Sequence, residues 1–135
     1  MIYKRKAYYH ETDQMGIVHH SNYIKWFEEA RIYLMQEAGI SYKKMEQEGI
    51  LSPVIGIQCD YKKSVEFDDP IEIKVGISVY NGVKLIVTYS VGNPAGDIIY
   101  ALGESKHCFI DGNKRVVSLK KKAPEFHELF LSMMG

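Results

Sequence analysis

One stretch of this sequence is apolar on more than one side of a helix, and it constrains the fold more than any other feature. Between positions 23 and 38 apolar residues recur three and four positions apart, which is the spacing of one stripe along a helix. The stripe consists of Tyr23, Trp26, Phe27, Ala30 and Leu34. Ile32 and Met35 lie off this stripe. A helix that is apolar on several sides is enclosed by other structure, so we predict a central helix over 23–38.

Residues that commonly cap helices flank this segment. Ser21 or Asn22 is expected as the N-cap, because its side-chain oxygen can accept a hydrogen bond from an unpaired amide of the first turn. Gly39 is expected just beyond the last turn, where a left-handed backbone costs glycine little. A second, short helix is predicted over 41–49, between Ser41 and a terminal glycine.

Segments of alternating polarity surround the predicted helix and indicate an antiparallel sheet. Strands are predicted over 2–9, 50–67, 71–79, 83–91 and 97–110. The turns between them include the Asn81-Gly82 pair, a strong hairpin signal. Pro124 opens a final helix over 125–133. A helix packed on one face of such a sheet is an α+β arrangement, and 135 residues are enough for a single domain, 1–135.

The loop before the central helix carries the residues best suited to chemistry. Asp13 supplies a carboxylate, Gly16 allows close backbone approach, and His20 directly precedes the helix. A helix N-terminus has free N–H donors and about half a positive charge, so it favours a developing oxyanion. Glu11 is a second carboxylate in the loop, and we expect a solvated charge there rather than a partner of the site.

The order of residues in this loop is specific. It reads Tyr9-x-x-x-Asp13, then Gly16-Ile17-Val18-x-His20-x-x-Tyr23, and finally Phe27-Glu28-x-Ala30-Arg31. This run resembles the signature of hotdog-fold acyl-CoA thioesterases of the 4-hydroxybenzoyl-CoA thioesterase family, in its YbgC-like branch. The resemblance implies a five-stranded antiparallel sheet wrapped around one long central helix. It also implies a homodimer or homotetramer in which protomers join their sheets, with active sites at the interface.

The same resemblance implies roles for individual residues. Asp13 would be the catalytic carboxylate, acting as general base or as nucleophile. His20 would bind the thioester oxygen through its backbone amide, with the imidazole available for proton transfer. Tyr9 would position the substrate, although packing of its ring in the core explains the residue equally well. Gly16, Ile17 and Val18 would contact the substrate.

Basic residues and composition indicate the partners. Lys62 and Lys63 could bind the phosphates of coenzyme A, which is part of the substrate, and no separate cofactor or metal is expected. Acyl carrier protein is a possible second partner. Seventeen basic and seventeen acidic residues cancel, so no nucleic-acid partner is expected. No apolar run approaches the roughly 20 residues of a transmembrane helix, and no signal peptide is recognisable, so we expect a cytoplasmic protein.

Two other functions remain open at this point. A hotdog-fold dehydratase acting on 3-hydroxyacyl thioesters would also use an acid and a histidine, but the short spacing of Asp13 and His20 in one loop argues against it. A non-catalytic module that binds acyl-CoA or acyl carrier protein is the second alternative. The Gly-x-Ser-x-Gly motif of serine hydrolases is absent from the sequence. Thioester hydrolysis is therefore the principal prediction.

Overall fold

The computed structural model describes residues 1–134 and contains five strands, four α-helices and a short 3-10 helix. In chain order these are β1 Ile2–Lys6, the 3-10 helix Tyr9–Glu11, α1 Ser21–Glu37, α2 Tyr42–Gln47, β2 Val54–Tyr61, β3 Pro70–Tyr80, β4 Lys84–Gly92, β5 Ile99–Cys108, α3 Leu119–Lys122 and α4 Pro124–Met133. The strands form one antiparallel sheet in the order β1-β3-β4-β5-β2. The predicted α+β hotdog fold, a five-stranded sheet around one long helix, is confirmed.

Helix α1 is buried against the sheet, as its apolar pattern predicts. Trp26 and Phe27 have no exposed surface, and the Phe27 ring stacks on Tyr89 of β4 with 4.3 Å between ring centroids. Gly103 of β5 makes this approach possible, because a Cβ atom there would come within 2.4 Å of the Phe27 ring. The helix ends before Gly39, whose φ of +87° is the left-handed conformation expected of it.

The predicted N-cap of α1 is wrong. The helix begins at Ser21, and the preceding residue, His20, is already helical and makes no side-chain capping bond. Asn22 lies inside the first turn, where its side chain is buried and donates to the Glu11 carbonyl at 2.8 Å. The Ser21 hydroxyl instead meets Nδ1 of His19 at 2.8 Å. Both expected caps are therefore engaged by the preceding loop.

Two predicted strands are shorter than the β-prone sequence around them. β1 stops at Lys6 because the 3-10 helix begins three residues later. β2 stops at Tyr61 because the next two amides, of Lys62 and Lys63, both donate to the Tyr100 carbonyl and interrupt the regular ladder. The segment after them turns away from the sheet to contact the loop before α1. Helix α3 was not predicted.

A chain of buried hydrogen bonds runs from α1 across the sheet. Arg31 donates to the Tyr89 hydroxyl at 3.1 Å, Tyr89 and Ser105 oxygens lie 2.6 Å apart, and Ser105 meets Nε2 of His107 at 2.7 Å. Arginine only donates, so the Tyr89 hydroxyl accepts from Arg31, whereas the groups that follow can each donate or accept. Nδ1 of His107 is buried and has no hydrogen-bond partner among residues 1–134.

The environment of His107 predicts acid-sensitive stability. Burial, and then the charge of Arg31, lower the pKa of His107 from 6.5 to about 4. Between these values the unfolded chain binds more protons, so the free energy of unfolding falls as pH falls from about 6.5 to about 4. The loss is on the order of 3 kcal/mol. Urea unfolding across this pH range measures it.

His107→Gln should flatten this acid slope, since glutamine can still form a hydrogen bond with Ser105 but does not titrate. His10→Gln, at an exposed side chain, is the matched control and should keep the slope of the original protein. An unchanged slope in His107→Gln would show that other groups cause the acid sensitivity.

Candidate active site

The loop before α1 and the segment after β2 pair with each other beside the start of the helix. The Val18 amide donates to the Val65 carbonyl at 2.7 Å, and Ile17 forms an isolated bridge with Glu66. Between them lies an open cleft of about 290 Å³. It brings together six of the predicted site residues: Asp13, Ile17, Val18, His20, Lys62 and Lys63.

Asp13 opens a tight turn that fixes one of its own carboxylate oxygens. Its carbonyl accepts from the Gly16 amide at 3.0 Å, and its amide donates to Ile17 at 2.8 Å. Oδ1 accepts from the Met15 amide at 2.8 Å. Among residues 1–134 no hydrogen-bond donor to Oδ2 is found, so this oxygen is available to substrate or water.

Gly16 is not among the residues that line the cleft, and its contact with substrate stays a prediction. Its φ is +79°, which the turn requires and which residues with a Cβ adopt at a cost. Nothing lies within 4 Å of the position where a Cβ would be. The glycine is therefore needed for the backbone conformation that places Asp13, and not for space.

The backbone of His20 is held on both sides while its amide stays free. The His20 carbonyl accepts from the Tyr61 hydroxyl at 3.1 Å and from the Tyr23 amide at 3.3 Å. The neighbouring His19 carbonyl accepts from the Asn22 amide at 3.0 Å. The described part of the chain provides no acceptor for the His20 N–H. A free donor at a helix start, beside a carboxylate, is suited to stabilising a negative oxygen.

The Tyr61 hydroxyl is a site group that sequence reasoning missed. Tyr61 is the last residue of β2, and its ring packs edge-on against Tyr23 of α1, with 5.0 Å between centroids. Burial raises the pKa of Tyr61 and raises that of Tyr23 to about 12. Tyr61 is therefore a neutral phenol near pH 7 and keeps the proton that it donates to His20. The only feature of the sequence that could have indicated this role is the position of Tyr61 at a strand end, next to two lysines.

Tyr9 is not brought to the cleft. It begins the 3-10 helix instead of ending β1, and 77% of its side chain is exposed, so the alternative of core packing is wrong. Its ring lies edge-on to Phe67, with 5.5 Å between centroids. A role in positioning substrate stays a prediction.

Glu11 is not a solvated charge, and this expectation is wrong. The residue is only 5% exposed, and both of its carboxylate oxygens are occupied. Arg5 donates to Oε1 at 2.6 Å, the Tyr8 amide donates to the same oxygen at 2.8 Å, and Trp26 donates to Oε2 at 2.7 Å. A buried carboxylate is tolerated when it is paired and hydrogen-bonded in this way.

Two further features bear on what the site could hold. Within residues 1–134 no group of three or more His, Cys, Asp or Glu side chains is placed to bind a metal ion. No helix in the same range is long and apolar enough to cross a membrane.

Comparison with known proteins identifies the family. The model of the thioesterase-like superfamily matches residues 9–132, which include the whole cleft. The chain belongs to the thioesterase-like superfamily. The resemblance read from the loop sequence is thereby confirmed.

Individual relatives in the superfamily agree with this assignment. The Bacillus subtilis protein YneP, named as a candidate acyl-CoA thioesterase, is 36% identical over 90% of this chain and 88% of its own. The acyl-CoA thioester hydrolase YbgC of Escherichia coli O157:H7 is 26% identical over 70% of each chain. Among solved structures, the DHNA-CoA thioesterase of Staphylococcus aureus superimposes with a TM-score of 0.92 and 31% identity, covering 97% of this chain and 88% of that one.

The turn that carries Asp13 offers a matched pair of substitutions. Gly96, in the turn after β4, shares three features with Gly16. Its φ is +80°, no atom lies within 4 Å of its Cβ position, and its amide donates a hydrogen bond to the carbonyl three residues earlier. Gly16→Ala and Gly96→Ala should each lower the free energy of unfolding by about 1–2 kcal/mol. Only Gly16→Ala should also slow thioester turnover, by about tenfold or more, because it displaces Asp13.

Chemical denaturation and steady-state kinetics on both variants separate the two effects. Equal loss of turnover in Gly96→Ala would show that activity follows global stability and not the geometry of the Asp13 turn.

Proposed function

We propose that this protein hydrolyses acyl-CoA thioesters to a free acid and coenzyme A. The observation that carries the proposal is the free amide of His20 at the same cleft as the carboxylate of Asp13. The His20 amide can stabilise the oxyanion of a tetrahedral intermediate, and the Asp13 carboxylate can activate or supply the attacking oxygen. The names of the relatives YbgC and the Staphylococcus aureus enzyme support a coenzyme A thioester as substrate.

The reaction begins with the thioester oxygen accepting a hydrogen bond from the His20 N–H. Oδ2 of Asp13 then removes a proton from a water molecule that attacks the carbonyl carbon, or attacks that carbon directly. The tetrahedral intermediate collapses, the carbon–sulfur bond breaks, and coenzyme A leaves as a thiolate. In the direct route the acyl group remains on Asp13 as a mixed anhydride, which water hydrolyses in a second step.

The start of α1 supplies the electrostatic part of this mechanism. Donors that are already oriented toward a developing oxyanion are worth about 3 kcal/mol each in other enzymes. The His20 peptide is held in place before substrate arrives, so little reorganisation accompanies the reaction. The exposed His20 imidazole is available for proton transfer. The proposal requires no cofactor apart from the coenzyme A of the substrate.

Lys62 and Lys63 give the cleft a charge that suits the substrate. Both side chains are exposed and line the cleft, and both backbones are fixed on the Tyr100 carbonyl. Two ammonium groups beside the site can attract the phosphates of coenzyme A, an interaction that weakens as salt rises. Acyl carrier protein presents the same kind of thioester and is the second substrate form to assay.

Asp13→Asn is the central test of the proposal. It keeps the size of the side chain and the Oδ1 acceptor for Met15 but removes the charge that attacks or accepts a proton. We expect kcat to fall by at least about a hundredfold, with a change in unfolding free energy near half a kcal/mol. His20→Ala should cost less, because the backbone donor remains. A free-thiol assay over a panel of acyl-CoAs measures both.

Three results would change the assignment. A larger loss in His20→Ala than in Asp13→Asn would make the imidazole the principal base. Absence of turnover across the panel, with acyl-CoA still bound, would favour the non-catalytic binding module. In single-turnover hydrolysis in oxygen-labelled water, label that enters Asp13 would establish the route in which Asp13 is the nucleophile.

The two edges of the sheet differ, and we propose that β2 is where protomers join. β1 is short and carries the exposed residues Lys4 and Lys6, and charged residues discourage pairing at an edge. β2 has eight residues and exposes apolar side chains, with Ile55 59% and Ile57 42% accessible. A long apolar edge is a template for pairing with another strand, so a homodimer with one continuous sheet, or a tetramer of two such dimers, is expected.

Light scattering at micromolar concentration should give a mass of two or four times 15.5 kDa. Ile55→Lys should shift the mass toward one chain by placing a charge in the shared edge. Val116→Lys, at a residue that is 61% exposed outside the sheet, is the matched control and should leave the mass unchanged. A single-chain mass for the unmodified protein would refute the joined sheet.

A further inference from the structure

Glu11 connects three parts of the structure through hydrogen bonds. Its carboxylate is bound by Arg5 of β1 and by Trp26 of α1, as described above. Arg5 is itself anchored, because its other NH group donates to both oxygens of Glu29 at 2.8 Å and its guanidinium lies over the Trp26 ring at 4.8 Å. The charges of Arg5 and Glu11 are therefore neutralised in the interior, and Glu11 cannot shift without breaking this set of contacts.

The backbone carbonyl of Glu11 accepts two further hydrogen bonds. The His19 amide donates to it at 2.9 Å, and the side-chain amide of Asn22 donates to it at 2.8 Å. These donors lie one residue before and two residues after His20. The free N–H of His20 thus belongs to a short segment that is tied at both ends to one oxygen atom.

The side chain of Asn22 does not cap helix α1. Asn22 is a residue that commonly caps helices, but here its side chain is directed back to the loop, and the first helical amide, of Ser21, donates to Nδ1 of His19. The contact of Asn22 with the Glu11 carbonyl therefore fixes the direction of the segment that carries the His20 amide.

We propose that Asn22 and Glu11 are positioning residues, which hold the His20 amide in the orientation that binds the thioester oxygen. Neither residue lines the cleft. The inference rests on the proposed thioesterase function and adds to it the side chains that set the geometry of the oxyanion donor.

Asn22→Ala removes one of the two ties without adding bulk. Because the donor remains but loses its fixed direction, kcat should fall about tenfold to a hundredfold, while KM changes less than about threefold, since a misdirected amide affects the transition state more than ground-state binding. Kinetics are measured well below the melting temperature of the variant, so that the enzyme remains folded.

Tyr80→Phe is the matched control. It removes one buried hydrogen bond, between the Tyr80 hydroxyl and Nδ1 of His127 at 2.7 Å, under helix α4 and away from the cleft. Its melting temperature should fall by an amount similar to that of Asn22→Ala, while its kcat should equal that of the unmodified enzyme.

Asn22→Asp provides a second readout that a purely structural role would not produce. When protonated, the introduced carboxyl can donate to the Glu11 carbonyl, and when ionised it cannot. The ratio of kcat in this variant to kcat in the unmodified enzyme should therefore rise as pH falls from about 8 to about 5.5, since a buried carboxyl titrates in or near this range. Dividing by the kcat of the unmodified enzyme removes the pH dependence that the two enzymes share. The corresponding ratio for Asn22→Ala should stay flat.

The outcomes separate this inference from the function on which it rests. A selective loss of kcat in Asn22→Ala, together with a pH-dependent ratio in Asn22→Asp, supports the positioning role. If the unmodified enzyme is active and Asp13→Asn is impaired, but Asn22→Ala turns over as fast as Tyr80→Phe, the positioning role is wrong and the function stands. If the unmodified protein hydrolyses none of the acyl-CoAs, both are wrong.

Discussion

The first amides of a helix have no acceptor within the helix and need one elsewhere. The rest of this site depends on which acceptors the loop before α1 provides. The Ser21 amide donates to Nδ1 of His19, and the Asn22 amide donates to the His19 carbonyl. The Tyr23 amide donates to the His20 carbonyl. The loop thus supplies an acceptor for each of these donors, and the His20 amide is left over. An unpaired amide beside a core helix is costly unless solvent or a ligand uses it, which links the folding of this loop to binding.

The two buried polar systems of the molecule have different consequences. The chain from Arg31 to His107 is enclosed by the sheet and makes stability depend on pH, because it holds an imidazole in its neutral form. The contacts of Glu11 lie directly behind the cleft and concern geometry, because they connect β1, the loop and α1. The first system determines the pH range in which the fold is stable, and the second determines the direction of the His20 amide.

Periodicity was sufficient to predict the main elements, because each depends on neighbouring residues. The stripe through Trp26 and Phe27 predicted α1, and the Asn81-Gly82 pair predicted the hairpin between β3 and β4. The environments of Glu11 and Asn22 were not predictable, because they depend on hydrogen bonds to residues far away in the sequence or on the opposite side of a loop. The prediction that Tyr9 ends β1 was wrong for a related reason, because an alternating pattern does not show where the strand stops and a 3-10 helix begins.

The cleft residues were predicted through the family motif and by their order in one loop. The structure brings six of them together because the loop pairs with the segment after β2.

The turn at Asp13 makes the two oxygens of its carboxylate chemically distinct. Oδ1 is held by the Met15 amide, so one oxygen is engaged by the backbone while the other remains available to substrate. A half-turn of the carboxylate exchanges the two oxygens, but only after the Met15 amide has been released. The backbone thus gives two equivalent oxygens different tasks, one as the acceptor for the turn and one toward the substrate.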